Sequence, residues 1–267
     1  MRYEQYYELW ERNTWKVADL DWSTLTSDVE MGLVSDFDRE AVAGTAVIEH
    51  GVPHYAEVWG LVENLRDHWE LWQFTTLWTA DEHRHSFALE KASKALGLTH
   101  VEPELEAVTK FKFAIAQKES CPDDCYRSVP GMLCYAVIQE LATNHFYLMA
   151  AKRTKSPFIK ELLTLIAGDE MRHHCYYRDA LKQYYAESTD KAWYADQVWR
   201  AIQAFKMPHL IYNMQVDFFE GGDWTVSGDL KAQLARCFNF DDTLMARLIA
   251  HYTQAAQLGS RDAGAVA

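Results

Sequence analysis

The sequence is short of chain breakers, with 6 prolines and 12 glycines in 267 residues. Between them the segments read at helical period, and no sustained alternation argues for a strand. Cysteine is scarce as well. Cys121, Cys125, Cys134, Cys175 and Cys237 make an odd count, which in so long a chain argues for reduced thiols rather than a disulfide framework. No apolar run approaches the roughly 18 residues of a membrane span. The N-terminus, MRYEQYYELW, is polar and aromatic, not a secretory signal. These absences predict a cytoplasmic chain with no membrane partner. Basic charge is also short: 26 Lys and Arg stand against 39 Asp and Glu, a formal net charge of -13. That excludes the basic footprint that nucleic-acid binding needs.

What is present is enough apolar residue, 49%, to bury one sizeable core. The pattern predicts a single all-α domain over 1–267, with a core at about 33–206 and C-terminal helices at about 207–257. A short helix is expected over about 3–20, and a long one from Ser35, a good N-cap, to Leu65. Others run from Asp67 to Leu96, stopping at Gly97, and from Pro103 to Lys118. After a loop containing Cys121 and Cys125, helices follow from Gly131 to Arg153, from Ser156-Pro157 to Glu187, and from Thr189-Asp190 to Lys206.

Two segments repeat one chemical pattern: Asp81-Glu82-His83-Arg84-His85 and Asp169-Glu170-Met171-Arg172-His173. Each holds Glu-x-x-His, which sets a carboxylate and an imidazole one turn apart on one helix face. The faces are the apolar ones. Leu71, Trp78, Glu82, His85 and Leu89 share one stripe, and Leu162, Ile166, Glu170, His173 and Tyr177 share another. An uncompensated carboxylate in a core stripe costs on the order of several kcal/mol, so something must compensate it, and a metal ion does so naturally. Two more carboxylates match. Glu140 is central to Leu133, Val137, Thr143 and Tyr147, and Glu49 lies four residues before Pro53. Pro53 removes the helix bond that the Glu49 carbonyl would accept, which predicts a kink or loosening at Glu49.

Four helices thus supply Glu, Glu-x-x-His, Glu and Glu-x-x-His. This is the dimetal-carboxylate arrangement of ferritin-like four-helix bundles. Four carboxylates and two neutral imidazoles are neutralised by two divalent ions, and hard oxygen with some imidazole suits iron or manganese better than zinc.

In order and local wording these residues resemble the soluble acyl-acyl carrier protein desaturases. Ile48-Glu49-His50-Gly51-Val52-Pro53, Trp78-Thr79-Ala80-Asp81-Glu82-His83-Arg84-His85, Gln139-Glu140-Leu141-Ala142-Thr143 and Ile166-Ala167-Gly168-Asp169-Glu170-Met171-Arg172-His173 carry the likeness. The resemblance implies a ferritin-like bundle with additional N- and C-terminal helices that binds two iron ions, with dioxygen as co-substrate. It implies Glu49 and His85 on one iron, Glu140 and His173 on the other, and Glu82 and Glu170 bridging. It further implies Thr143 on the oxygen-binding side, Asp169 accepting the free N–H of His85, and Trp15 at the surface end of an electron path. The implied reaction is desaturation of an acyl chain tethered to an acyl carrier protein, by a homodimer fed by a ferredoxin-type donor. Lys152, Arg153 and Lys155, with Lys110, Lys112 and Lys160, are the basic clusters available to an acidic carrier. A diiron hydroxylase or N-oxygenase is the alternative, although the arylamine N-oxygenases' extra His falls on Ile166 here. A non-enzymatic ferritin is the other alternative, disfavoured by the length of the chain.

Overall fold

The computed structural model describes residues 1–98 and 124–204. The described chain is all-helical. In order it forms α1 (Tyr3–Asn13), α2 (Trp22–Glu30), α3 (Asp36–Glu49), α4 (Val52–Gly60), α5 (Trp69–Ala95), α6 (Val129–Arg153), α7 (Pro157–Glu187) and α8 (Lys191–Ala204). The expected helix over Pro103–Lys118, Cys121 and the C-terminal helices from 207 lie outside the described residues, and the expected loop is described only from Asp124, where a short 3-10 turn, Asp124–Arg127, leads into α6. Among the described residues no helix is long and apolar enough to cross a membrane.

Caps written in the sequence set the ends of the core helices. The Ser35 hydroxyl accepts from the Asp38 N–H and the Asp38 carboxylate accepts from the Ser35 N–H, a capping box that starts α3. Ser128 and Ser156 accept from Gly131 and Ile159, with proline following each cap in the first turn. At the end of α5, Gly97 turns left-handed at φ +76, and Leu98 and Gly97 donate to the Ser93 and Lys94 carbonyls.

Two expectations are corrected. The N-terminal helix stops at Asn13, and a separate helix, α2, begins at Trp22 because Asp21 caps it through the Ser23 N–H. The long helix from Ser35 does not merely kink at Glu49. It ends there, and α4 restarts at Val52 with Pro53 in its first turn. Proline offers the Glu49 carbonyl no N–H, and Gly51 with its neighbours closes the break through short-range bonds to Ile48 and Ala46.

The helices α3, α5, α6 and α7 form the bundle. The packing of α6 on α7 is the most extensive, followed by α3 on α5, while α1 and α2 lie across α5 and α7, and α8 lies on α6. Two apolar clusters fill the interior. One gathers Tyr6, Trp59, Phe74, Trp78, Leu133 and Tyr177; the other gathers Leu25, Val42, Ala46, Leu89, Phe158 and Ile166. Along α5 and α7 the Glu-x-x-His segments fall between the residues of one cluster and those of the other. The bundle is thus apolar at both ends of a polar middle layer.

The α2 segment is tied to the bundle by a buried carboxylate at a helix start. Asp28 accepts from the Ser156 hydroxyl and from the Phe158 N–H at 3.1 Å, beside the positive end of α7. Asp28→Ala should cost about 2–3 kcal/mol of stability, as for a hydrogen-bonded buried charge, and Asp28→Asn less. Denaturant unfolding measures it; an unchanged midpoint for the alanine variant contradicts the anchoring role.

Candidate metal centre

The polar layer is built by one residue set per bundle helix. The last residue of α3 is Glu49, α5 brings Glu82 and His85, α6 brings Glu140, and α7 brings Glu170 and His173. All six are 5% exposed or less. They meet as two overlapping quartets, Glu49–Glu82–His85–Glu170 and Glu82–Glu140–Glu170–His173. Within each quartet one donor atom per residue lies within 4.8 Å of the others. Glu82 and Glu170 belong to both.

Both imidazoles turn Nδ1 into this box. His85 Nδ1 faces Glu82 and Glu170 at 3.6 Å, and His173 Nδ1 faces Glu82 at 3.2 Å and Glu140 at 3.3 Å. The opposite nitrogens are held from outside. His85 Nε2 lies 2.9 Å from Asp169 Oδ2, and His173 Nε2 lies 3.0 Å from Asp81 Oδ2. A carboxylate on Nε2 fixes the tautomer that leaves Nδ1 with a free lone pair, the form a metal needs. Arg84 pairs with both Asp81 and Asp169, and Arg172 pairs with Asp169, so these two outer carboxylates are already neutralised.

The inner carboxylates face one another and the two imidazoles instead. Burial raises the Glu49 carboxyl well above its usual value, and the neighbouring Glu82 pushes it further. Burial likewise raises Glu170, helped by Glu82 and Glu140. Burial also works against Glu82, but the imidazoles of His173 and His85 beside it outweigh this and bring that carboxyl below its usual range. Burial disfavours a charged His173 too. Tyr6, Asp81, Glu140 and Glu170 outweigh this and hold its imidazole well above normal. Left to protons, the box is a shared-proton cluster. Two of its atoms, His85 Nδ1 and Glu170 Oε1, are buried with no hydrogen-bond partner although they face each other at 3.6 Å. Such orphaned ligand atoms, in a box of four carboxylates and two imidazoles, fit two divalent cations.

Around the box, Tyr147 donates to Glu49 at 2.5 Å and Trp78 donates to Glu140 at 3.1 Å. Trp15 Nε1 donates to Asp169 at 2.8 Å, and its ring stacks parallel to His85 at 6.3 Å. The expected Trp15–Asp169–His85 contacts are thus in place as geometry. Thr143 is different. It is half-buried on α6, and its hydroxyl donates back to the Gln139 carbonyl at 2.8 Å rather than joining the box. Sequence reasoning missed Asp81 as the partner of His173, and Arg84 and Arg172 as partners of the two aspartates. Their signal was available, because Asp-Glu-x-Arg-His occurs twice, and beyond Glu and His only Asp169 was given a role. Trp10, which donates to Asp81 at 2.8 Å, carried no such signal.

Comparison with known proteins agrees with this geometry. The family model described as fatty acid desaturase matches residues 27–220. Sequences from Mycobacterium tuberculosis strains CDC 1551 / Oshkosh and ATCC 25618 / H37Rv, both provisionally named acyl-acyl carrier protein desaturase DesA1, are 26% identical over 175 residues. That alignment is 63% of this chain and 48% of theirs, so the chain spans about half the length of the curated relatives it matches. Among solved structures, a mutant R2-like ligand-binding oxidase with an aerobically reconstituted Mn/Fe cofactor aligns with TM-score 0.52 at 17% identity. The alignment covers 96% of this chain and 93% of that one, and at this identity it is a likeness of fold.

Metal uptake follows from the protonation of the box. Glu49, Glu170 and His173 are all shifted toward their protonated forms, so a cation competes with protons for them. Affinity should therefore strengthen as pH rises, with proton release visible by calorimetry in buffers of different ionisation enthalpy. Glu82→Ala and Glu170→Ala should each lose most of about two ions per chain by elemental analysis, because each removes a residue common to both quartets. Full metal retention in both variants, or uptake without proton release, contradicts the assignment.

Proposed function

The chain belongs to the fatty acid desaturase family, and on that premise we propose that it is an oxygen-dependent diiron desaturase. Its substrate is an acyl chain tethered to an acyl carrier protein, and its electrons come from a ferredoxin-type donor. The observation that carries this reading is the pair of buried quartets sharing Glu82 and Glu170. Glu49 and His85 would hold one iron, Glu140 and His173 the other, and Glu82 and Glu170 would bridge. When bound, the iron pair supplies the site at which dioxygen is reduced and an unactivated C–H is oxidised.

The protein's own residues do the rest. Asp169 and Asp81 hold the Nε2 protons of His85 and His173, so that Nδ1 stays available inward. Arg84 and Arg172 pair with those aspartates and hold them in place. The apolar clusters on either side of the layer exclude water, which strengthens every electrostatic contact inside it. Desaturation removes two hydrogens from adjacent carbons. With two electrons and two protons from outside, one dioxygen leaves as two waters. The electrons need a route inward, and Trp15–Asp169–His85 is a continuous hydrogen-bonded one from a half-buried indole.

An acidic chain needs a local basic surface to meet an acidic carrier. Lys152, Arg153, Lys155 and Lys160 are exposed around the turn from α6 to α7. Arg153 also lies over the Phe37 ring at 3.9 Å, which positions it there. Lys110 and Lys112, the other basic cluster, lie outside the described residues.

Two outcomes follow. Trp15→Phe and Asp169→Asn should retain metal but slow reduction of the diferric site by a protein donor; unchanged rates for both leave Trp15 as packing. The same acyl group offered as carrier thioester, coenzyme A thioester and free acid should be turned over best on the carrier, with a product lighter by two hydrogens. Charge reversal at Lys152, Arg153 and Lys155 should raise KM more than it lowers kcat. Equal turnover of all three forms, or a product that gains oxygen, moves the chain to the hydroxylases.

A further inference from the structure

The imidazole of His173 has a second path to the surface, joined to that of His85 through Arg84, which pairs with both aspartates. His173 Nε2 meets Asp81 Oδ2 at 3.0 Å, and Trp10 Nε1 donates to the other oxygen of the same carboxylate at 2.8 Å. Asp81 is fully buried and Trp10 is half-buried. From Trp10 the path continues over aromatic rings. Tyr7 lies 6.1 Å away centroid to centroid, and Tyr3 lies 6.4 Å beyond it. Tyr7 is 41% exposed, so the chain of rings reaches solvent.

The two relays share a pattern of indole, carboxylate and imidazole, but their surroundings differ. The Arg84 guanidinium sits over the Trp15 ring at 5.1 Å. A cation over an indole face stabilises the neutral ring and opposes a positive charge on it. Trp15 is therefore poor at giving up an electron of its own. Trp10 leads instead into two phenols, which lose an electron and a proton together when water can take the proton. One relay suits electrons passing inward from a donor, and the other suits release of an oxidising equivalent.

We infer that Trp10, Tyr7 and Tyr3 form an outlet for oxidising equivalents that drains the metal centre through His173 and Asp81 when no C–H substrate is present. This rests on the dimetal reading of the site. The oxidant is the iron pair after it has reacted with dioxygen. One electron moves from the Trp10 indole through Asp81 and His173 to the pair, and the indole Nε1 proton shifts toward Asp81 within their hydrogen bond. One electron from Tyr7 refills Trp10, and the Tyr7 phenol proton leaves to water. A small-molecule reductant such as ascorbate then returns one electron, with a proton from water, to the tyrosyl.

The test loads the full chain with iron(II), confirms metal content, and mixes it with dioxygen without substrate, followed by freeze-quench electron paramagnetic resonance and peptide mass spectrometry. The wild-type chain should give an aromatic radical signal, with oxidation products concentrated at Tyr3, Tyr7 and Trp10. Trp10→Phe should lose most of that signal and move the oxidation products to residues beside the box, such as Tyr147 and Trp78. Tyr7→Phe keeps the ring and its packing, so it guards against a folding defect; it should trap the signal at Trp10. Trp193→Phe, at an exposed indole on α8, should leave the pattern unchanged. If both outlet variants bind iron and show the wild-type signal and products, the inference falls while the metal site stands. If the wild-type chain binds no iron, the site reading falls and this inference with it.

Discussion

The structure is organised around a charge problem. Four glutamates from four helices are buried together with two imidazoles, and so much buried carboxylate needs cations or shared protons in place of water. Everything nearby follows from that requirement. The imidazoles must present Nδ1 inward, so aspartates stand behind them, and the aspartates must stay charged, so arginines stand behind the aspartates. Buried charge is thereby balanced in layers, with Arg84 and Arg172 closing the outer one. The inner layer is the one left to metal.

The same requirement accounts for the helix break between α3 and α4. A regular helix carries a ligand at a fixed angle, whereas Glu49 is the terminal residue of α3, with Gly51 and Pro53 just beyond. Tyr147 then fixes its carboxylate from α6. Segregation of the apolar residues into a cluster on each side of the polar layer has the same origin, since α5 and α7 alternate apolar turns with one charged segment. The N-terminal segment completes the arrangement. It supplies Trp10 and Trp15 from outside the bundle, one to each aspartate.

Most of the bundle was legible because its signals are local. Serine caps, proline in first turns, Gly97 and the apolar stripes fix the ends of α5, α6 and α7 to within a few residues. The six acidic and imidazole residues were legible because a charged residue at the centre of an apolar stripe is anomalous unless it has a partner. The separate α2 was missed, since only Asp21 announces it in a short segment of mixed polarity. The break at Glu49 was read as a kink because Pro53 was weighed without Gly51. Asp81 was overlooked for a different reason. Its partners, His173 and Trp10, are 92 and 71 residues away in sequence, and no helical period relates them. Thr143, which the resemblance sets on the oxygen-binding side, has its hydroxyl satisfied along its own helix at the Gln139 carbonyl.

The central claim is that the buried box is a two-metal site with shared glutamates. X-ray absorption spectroscopy of the iron-loaded chain tests it most directly. The account predicts oxygen and nitrogen ligands, no sulfur, and a metal–metal vector at about 3.5–4 Å. Iron held as isolated ions without that vector, or bound through thiolate, would contradict it.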